Sequence, residues 1–202
     1  FNIGKSGIRD MSTYDFSYPK IIKHFDQLKT LDNEQWLICG SSIVYSWMPT
    51  ILNFHTKTDN YEDDDIFEAA KKALVSIGKI MNPKNKFFDS EIIKNTLSPL
   101  KDFINNSIVG VSKFLHFSYP RTFPIWDSRV ERAFSKVKNN SHRTNNIDNY
   151  VKYCISIHEI IEGEKEKWMN NGIFEKNLFK DKKPIRKIEY ALFIIGKKKD
   201  QE

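Results

Sequence analysis

The sequence predicts an all-α protein, a single globular multi-helix domain. Three observations predict it. Apolar residues recur at spacings of three and four in most segments. No run alternates apolar and polar residues, and no Asn-Gly turn joins two such runs. No internal repeat marks a solenoid or propeller. The usual helix and connection lengths then give about eight to ten helices. At 202 residues, 40% apolar and 13% aromatic, the chain is long enough for one sizeable core. Residues 1–17 read as a polar, irregular arm. Residues 18–196 read as the domain, and 197–202 as a charged tail.

Pro19 is expected to open the first helix, running to about Leu31 with Ile21, Ile22, Phe25 and Leu28 inward. Asp32 or Asn33 caps a second, buried segment from Trp36 to Leu52, which Gly40 and Pro49 are expected to break in two. The acidic run through Asp65 reads as a solvated helix start, since carboxylates favour the positive end of the helix dipole. The helix it opens reaches about Met81, with Ile66, Phe67, Ala70, Ala73, Leu74, Ile77 and Ile80 inside. A turn over Asn82–Asn85 follows. Asp89 or Ser90 caps a short helix through Leu97, and Ser98-Pro99 is expected to start another with Leu100, Phe103 and Ile104. Lys138–Asn146 is a polar loop. Ile147 to about Trp168 reads as one long helix with Tyr150, Val151, Cys154 and Ile157 inward. Gly172 ends that region. Pro184 opens a last helix with Ile185, Ile188, Ala191, Leu192 and Ile195 as its apolar face.

Net charge is +6, with 32 Lys and Arg against 26 Asp and Glu. That balance permits nucleic-acid binding without demonstrating it. No apolar run approaches the roughly 20 residues of a membrane span, and no N-terminal stretch reads as a signal peptide. A cytoplasmic monomer is expected. Cys39 and Cys154 sit in apolar sequence and read as buried free thiols. Neither has a second Cys or His at ligand spacing, so no metal site and no cofactor are expected. Phosphate-loop, dinucleotide, nucleophile-elbow and zinc-protease signatures are absent.

The chemistry concentrates between Ile108 and Phe134. Gly110 is expected to free the backbone for a turn. Ser112 then caps a helix with Lys113 in its first turn. Pro120 and Pro124 stiffen the connection ahead of Asp127. Asp127 or Ser128 caps the next helix, whose inner face is Val130, Ala133 and Phe134. A lysine at a helix start, buried among Phe114, Phe117 and Trp126, has its pKa lowered by the dipole and by desolvation. Such an amine is a nucleophile able to form a Schiff base with a sugar aldehyde. His116 follows Lys113 by three residues and shares its face. Each of these residues also has a plain structural role: lysine as a solvated charge, histidine as a hydrogen-bonded core group, aspartate as a cap.

The run GVSK, then a helix, a proline turn and FPIWDSRV, resembles the helix-hairpin-helix DNA glycosylases, particularly the 8-oxoguanine DNA glycosylase branch. The match covers about an eighth of the chain. It retains one glycine, Gly110, where that family's hairpin usually has two. The resemblance implies an all-α glycosylase fold, double-stranded DNA as partner, and excision of a damaged base such as 8-oxoguanine. It implies Lys113 as the Schiff-base nucleophile and Asp127 as the group stabilising the sugar cation. Backbone amides of Val109, Gly110, Val111 and Ser112 would hold a phosphate, with Arg121 and Arg129 as further phosphate contacts. Phe114, His116, Tyr119, Phe123 and Trp126 would line the pocket for the flipped base. The alternatives are a nucleic-acid-binding module without catalysis and an interaction protein of a defence or mobile-element system.

Overall fold

The computed structural model describes residues 12–55, 65–80, 90–135, 141–163 and 183–198. These residues are helical, with a single isolated bridge between Phe54 and Ile104. The helices are α1 (Ser12–Leu28), α2 (Asn33–Ser46), α3 (Asp65–Ile80), α4 (Ser90–Phe103), α5 (Ile108–Ser118), α6 (Ser128–Ser135), α7 (Ser141–Thr144), α8 (Ile147–Gly163) and α9 (Pro184–Lys198). No described helix is long and apolar enough to cross a membrane.

Helix α5 is the hub. Ile108, Val111, Phe114, Leu115 and Phe117 are fully buried. Helices α1, α2 and α4 pack around it, α3 packs on α4, and α9 packs on α6. Every residue of this helix is buried except Val109 and Lys113. Phe25 and Trp36 meet Phe114 at ring-centroid distances of 5.8 and 6.0 Å. Gly40 lies where α2 crosses this cluster. A Cβ there would stand 2.6 Å from the Phe114 ring. Gly40 therefore does not break α2, as expected from its helix propensity; it lets two helices approach.

Several boundaries differ from expectation, each for a local reason. Helix α1 begins at Ser12, so residues 12–17 are helical and Pro19 lies inside the helix. Proline there removes one bond, to the Asp15 carbonyl, while Tyr18 beside it packs on His116 and Phe117. Helix α4 likewise runs unbroken through Pro99; burial of Leu97, Leu100 and Phe103 on one face outweighs the lost bond. Ser141–Thr144 forms a short helix inside the stretch expected as loop. Cys39 is exposed, whereas Cys154 is buried as expected. On α9 the buried residues are Ile185, Arg186, Glu189 and Tyr190, and Ile195 is 40% exposed. Its inward face is thus turned towards polar side chains. The acidic run before Asp65, the Asn82–Asn85 turn and the region around Trp168 and Gly172 lie outside the described residues.

Other expectations hold. Asp32 caps α2, accepting from the Gln35 amide at 2.8 Å. Helix α3 keeps Ile66, Ala70, Ala73, Leu74 and Ile77 buried, and α8 keeps Tyr150, Val151, Cys154 and Ile157.

Candidate functional site

The turn ahead of α5 lies earlier than Gly110. Asn105 and Asn106 carry it, with φ of 54° and 46°. Asparagine tolerates the left-handed region better than other residues with a Cβ. The turn is held on both sides. The Asn105 side-chain amide donates to the Ile51 carbonyl at 2.9 Å, and its oxygen accepts from the Asn53 amide. Asn145 donates to the Asn106 carbonyl at 2.8 Å and accepts from the Ile108 amide at 2.9 Å. Ser107 is then the N-cap.

Gly110, Val111, Ser112 and Lys113 therefore sit within α5. The Gly110 amide donates to Ser107 Oγ at 3.3 Å and the Val111 amide to the Ser107 carbonyl at 3.1 Å. The Gly110 and Val111 amides, two of the four expected to hold a phosphate, are thus engaged within α5. Gly110 is glycine for closeness: a Cβ would stand 2.4 Å from the Tyr45 hydroxyl. Ser112 is a fastener. Its hydroxyl accepts from the Trp126 amide at 3.1 Å, and its one proton is shared between the Val109 carbonyl at 2.9 Å and the Trp126 carbonyl at 3.1 Å. Asp127 caps α6 through Oδ1, which accepts from the Arg129 and Val130 amides at 3.0 and 2.9 Å.

Ser112 is joined to Trp126, so Lys113 and Asp127, one residue beyond each, fall on one cavity of about 520 Å³. Helix α5 contributes Val109 and Lys113 to its wall. The segment after α2 contributes Trp47 to Thr50. The α6 region contributes Ile125, Asp127, Ser128, Arg129 and Arg132, and α7 contributes Thr144. Helix α9 contributes Arg186, Glu189, Tyr190 and Phe193, spaced as one helical face. The volume falls within the range of small-molecule sites, about 300–1,000 Å³.

Burial lowers the Lys113 pKa, and the cations Arg186 and Arg129 lower it further; the carboxylates Asp127 and Glu189 act against this. Lys113 forms no hydrogen bond or ion pair among the described residues; its nearest ring is Trp47, 6.0 Å from Nζ. Helix-start polarity, invoked from sequence, plays no part, because Lys113 lies beyond the first turn. On α9, Arg186 and Glu189 form a buried ion pair. Burial pushes the Glu189 carboxyl up to about 7, and Arg186 opposes that rise. The Arg186 guanidinium lies near the Tyr18 and Tyr190 rings, 4.6 and 5.3 Å from their centroids.

The five aromatic residues expected in a base pocket do not line the cavity. Phe114, Phe123 and Trp126 are core residues, 0–2% exposed. Trp126 Nε1 donates to the Thr144 carbonyl at 2.8 Å. Tyr119 packs edge-on against Trp36 and Phe123. His116 Nδ1 lies 2.7 Å from the Phe123 carbonyl and Nε2 lies 2.6 Å from the Tyr18 hydroxyl. A carbonyl only accepts, so Nδ1 carries the proton and Nε2 accepts from Tyr18. Burial drops the His116 pKa to about 3, keeping the ring neutral. The reason for the misplacement is rotational: Val109 and Lys113 share one stripe of α5, and Phe114 and Phe117 share another. The aromatic wall is instead Trp47, Tyr190 and Phe193, supplied from distant sequence. Arg129 lies over Phe193 at 5.0 Å and lines the cavity, whereas Arg121 is exposed and does not.

Comparison with protein-family models, with curated proteins and with solved structures finds no match. Among the described residues, no group of three or more His, Cys, Asp or Glu is placed to hold a metal ion.

Proposed function

We propose that the protein is a DNA glycosylase with an associated lyase step, with Lys113 as nucleophile. The observation that carries this reading is the amine of Lys113, its pKa lowered by burial, facing one cavity with the Asp127 carboxylate. The cavity wall supplies aromatic surface for a planar base and four basic against two acidic side chains. That excess favours an anionic backbone near its mouth.

In this reading the target base leaves the stack and enters the cavity. Unprotonated Lys113 Nζ forms a bond to the sugar C1′ as the glycosidic bond breaks. The base departs with the bonding pair and takes up a proton. Asp127 offsets the positive charge developing on the sugar, using the carboxylate oxygen that the α6 cap leaves uncommitted. Ring opening gives the C1′=N Schiff base, and loss of a 2′ proton expels the 3′ phosphate. Phosphate contacts fall to Arg129 and Arg132 rather than to the α5 amides.

The test is borohydride trapping on duplexes carrying 8-oxoguanine or an abasic site, with Lys113→Gln beside the wild type. A covalent adduct in the wild type alone is expected. Salt-dependent binding without any adduct would replace this reading with a non-catalytic nucleic-acid-binding module. Absence of binding would overturn both.

A further inference from the structure

Arg186 and Glu189 are the least expected residues of the cavity. Arg186 is 5% exposed and Glu189 is 2% exposed, yet both reach the cavity wall. Their ion pair joins one guanidinium nitrogen, Nη1, to one carboxylate oxygen, Oε2. Arg186 Nε is buried without a hydrogen-bond partner. Glu189 Oε1 likewise carries no hydrogen bond among the described residues. A buried guanidinium donor left unmet costs stability unless something meets it. The Tyr18 and Tyr190 rings both pack against the guanidinium, which restricts its movement.

The wall thus sets a donor beside an acceptor. A simple anion fits poorly there, because Glu189 and Asp127 would both repel it. A neutral planar group that offers an acceptor beside an N–H fits both. Guanidinium N–H groups donate to carbonyl oxygens such as guanine O6, and carboxylates accept well from the acidic N–H of a lactam. Tyr190 and Phe193, on the same face of α9, supply apolar surface next to this edge.

We propose that Arg186 and Glu189 are the specificity-determining pair of the cavity, reading the lactam edge (C=O beside N–H) of a nucleobase. This rests on the reading of the cavity as a base pocket. Arg186 donates to the carbonyl and Glu189 accepts from the ring N–H. A base that inverts the two groups, as adenine does, meets donor with donor and acceptor with acceptor.

The test uses Lys113→Gln protein, which cannot turn over, and labelled single-stranded oligonucleotides in a deoxycytidine run. One carries deoxyinosine, one deoxyadenosine and one N1-methyldeoxyinosine. Affinity is measured by fluorescence anisotropy. Deoxyinosine is expected to bind about tenfold tighter than either of the others. In an added Arg186→Met/Glu189→Met pair the three affinities converge. Replacing both partners by apolar groups avoids an unpaired buried charge, and a thermal melt checks folding. If that variant does not fold, N1-methyldeoxyinosine still decides, because it removes the N–H without touching the protein. Equal affinities in the unaltered wall, or discrimination that survives the double change, overturn the proposal. Trapping on an abasic site involves no base, so it tests Lys113 separately. An adduct without base discrimination removes only the reader; discrimination without an adduct removes only the lyase step.

Discussion

Replacing Gly196 by alanine presses α9 away from α6. A Cβ at Gly196 would stand 2.0 Å from the Arg129 carbonyl oxygen, 2.6 Å from its carbon and 2.9 Å from its Cα. All three atoms are backbone, so no rotamer relieves the contact. Restoring van der Waals separation requires the helices to part by roughly 1 Å, and such overpacking costs about 1–3 kcal/mol. Alanine's better helix propensity returns up to about 1 kcal/mol. The net expectation is a loss of about 1–2 kcal/mol, or roughly 2–8 °C in Tm for a chain of this size. Gly163 is the matched control, because a Cβ there meets nothing within 4 Å. Gly163→Ala is expected to be neutral or slightly stabilising. Urea unfolding of both variants measures the difference from the midpoints at constant slope. A Gly196→Ala protein as stable as Gly163→Ala would refute the close approach of α6 and α9. The cavity reports as well, since Arg129 and Arg132 lie on one of these helices and Glu189 and Phe193 on the other.

Ser112→Ala removes the hydroxyl that meets both polar groups of Trp126 and leaves a buried amide unpaired; a loss of about 1–3 kcal/mol in urea unfolding is expected. Stability against pH is expected to be nearly flat between about 4.5 and 6.5. Neutral His116 binds fewer protons folded than unfolded, so its contribution rises with pH through that window; Glu189, raised to about 7, binds more protons folded, so its contribution falls. His116→Gln leaves the falling term alone, and unfolding measured across the window should then lose about 1.4 kcal/mol per pH unit; a variant as flat as the wild type would contradict the Glu189 assignment. Arg129→Gln/Arg132→Gln is expected to flatten the salt dependence of DNA binding by about two units of log–log slope; an unchanged slope would place the phosphate contacts elsewhere.

The fold was legible because burial in this chain follows helical periodicity. Helix α3 shows it: Ile66, Ala70, Ala73, Leu74 and Ile77, at helical spacing, are all buried. Prolines misled, since Pro19 and Pro99 lie within helices whose packed faces tolerate one missing bond. Lys113 and Asp127 were legible as a pair because Gly110, Pro120 and Pro124 draw attention to one stretch. Their shared cavity was not, since it depends on Trp47 and on α9, more than 55 residues from Asp127 in the sequence. Arg186 and Glu189 went unmarked because only the apolar residues of the last helix were followed. Their signal was present in spacing: Arg186, Glu189, Tyr190 and Phe193 recur at three, four and seven residues, an alternative stripe that apolar counting passes over.

The Ser112 hydroxyl has a kinetic consequence. It ties the residue before Lys113 to the residue before Asp127 in the folded chain, so the two backbone positions are set together before any ligand arrives. On the proposed glycosylase reading, rearrangement then falls to the nucleic acid, whose base must leave its stack to reach the cavity.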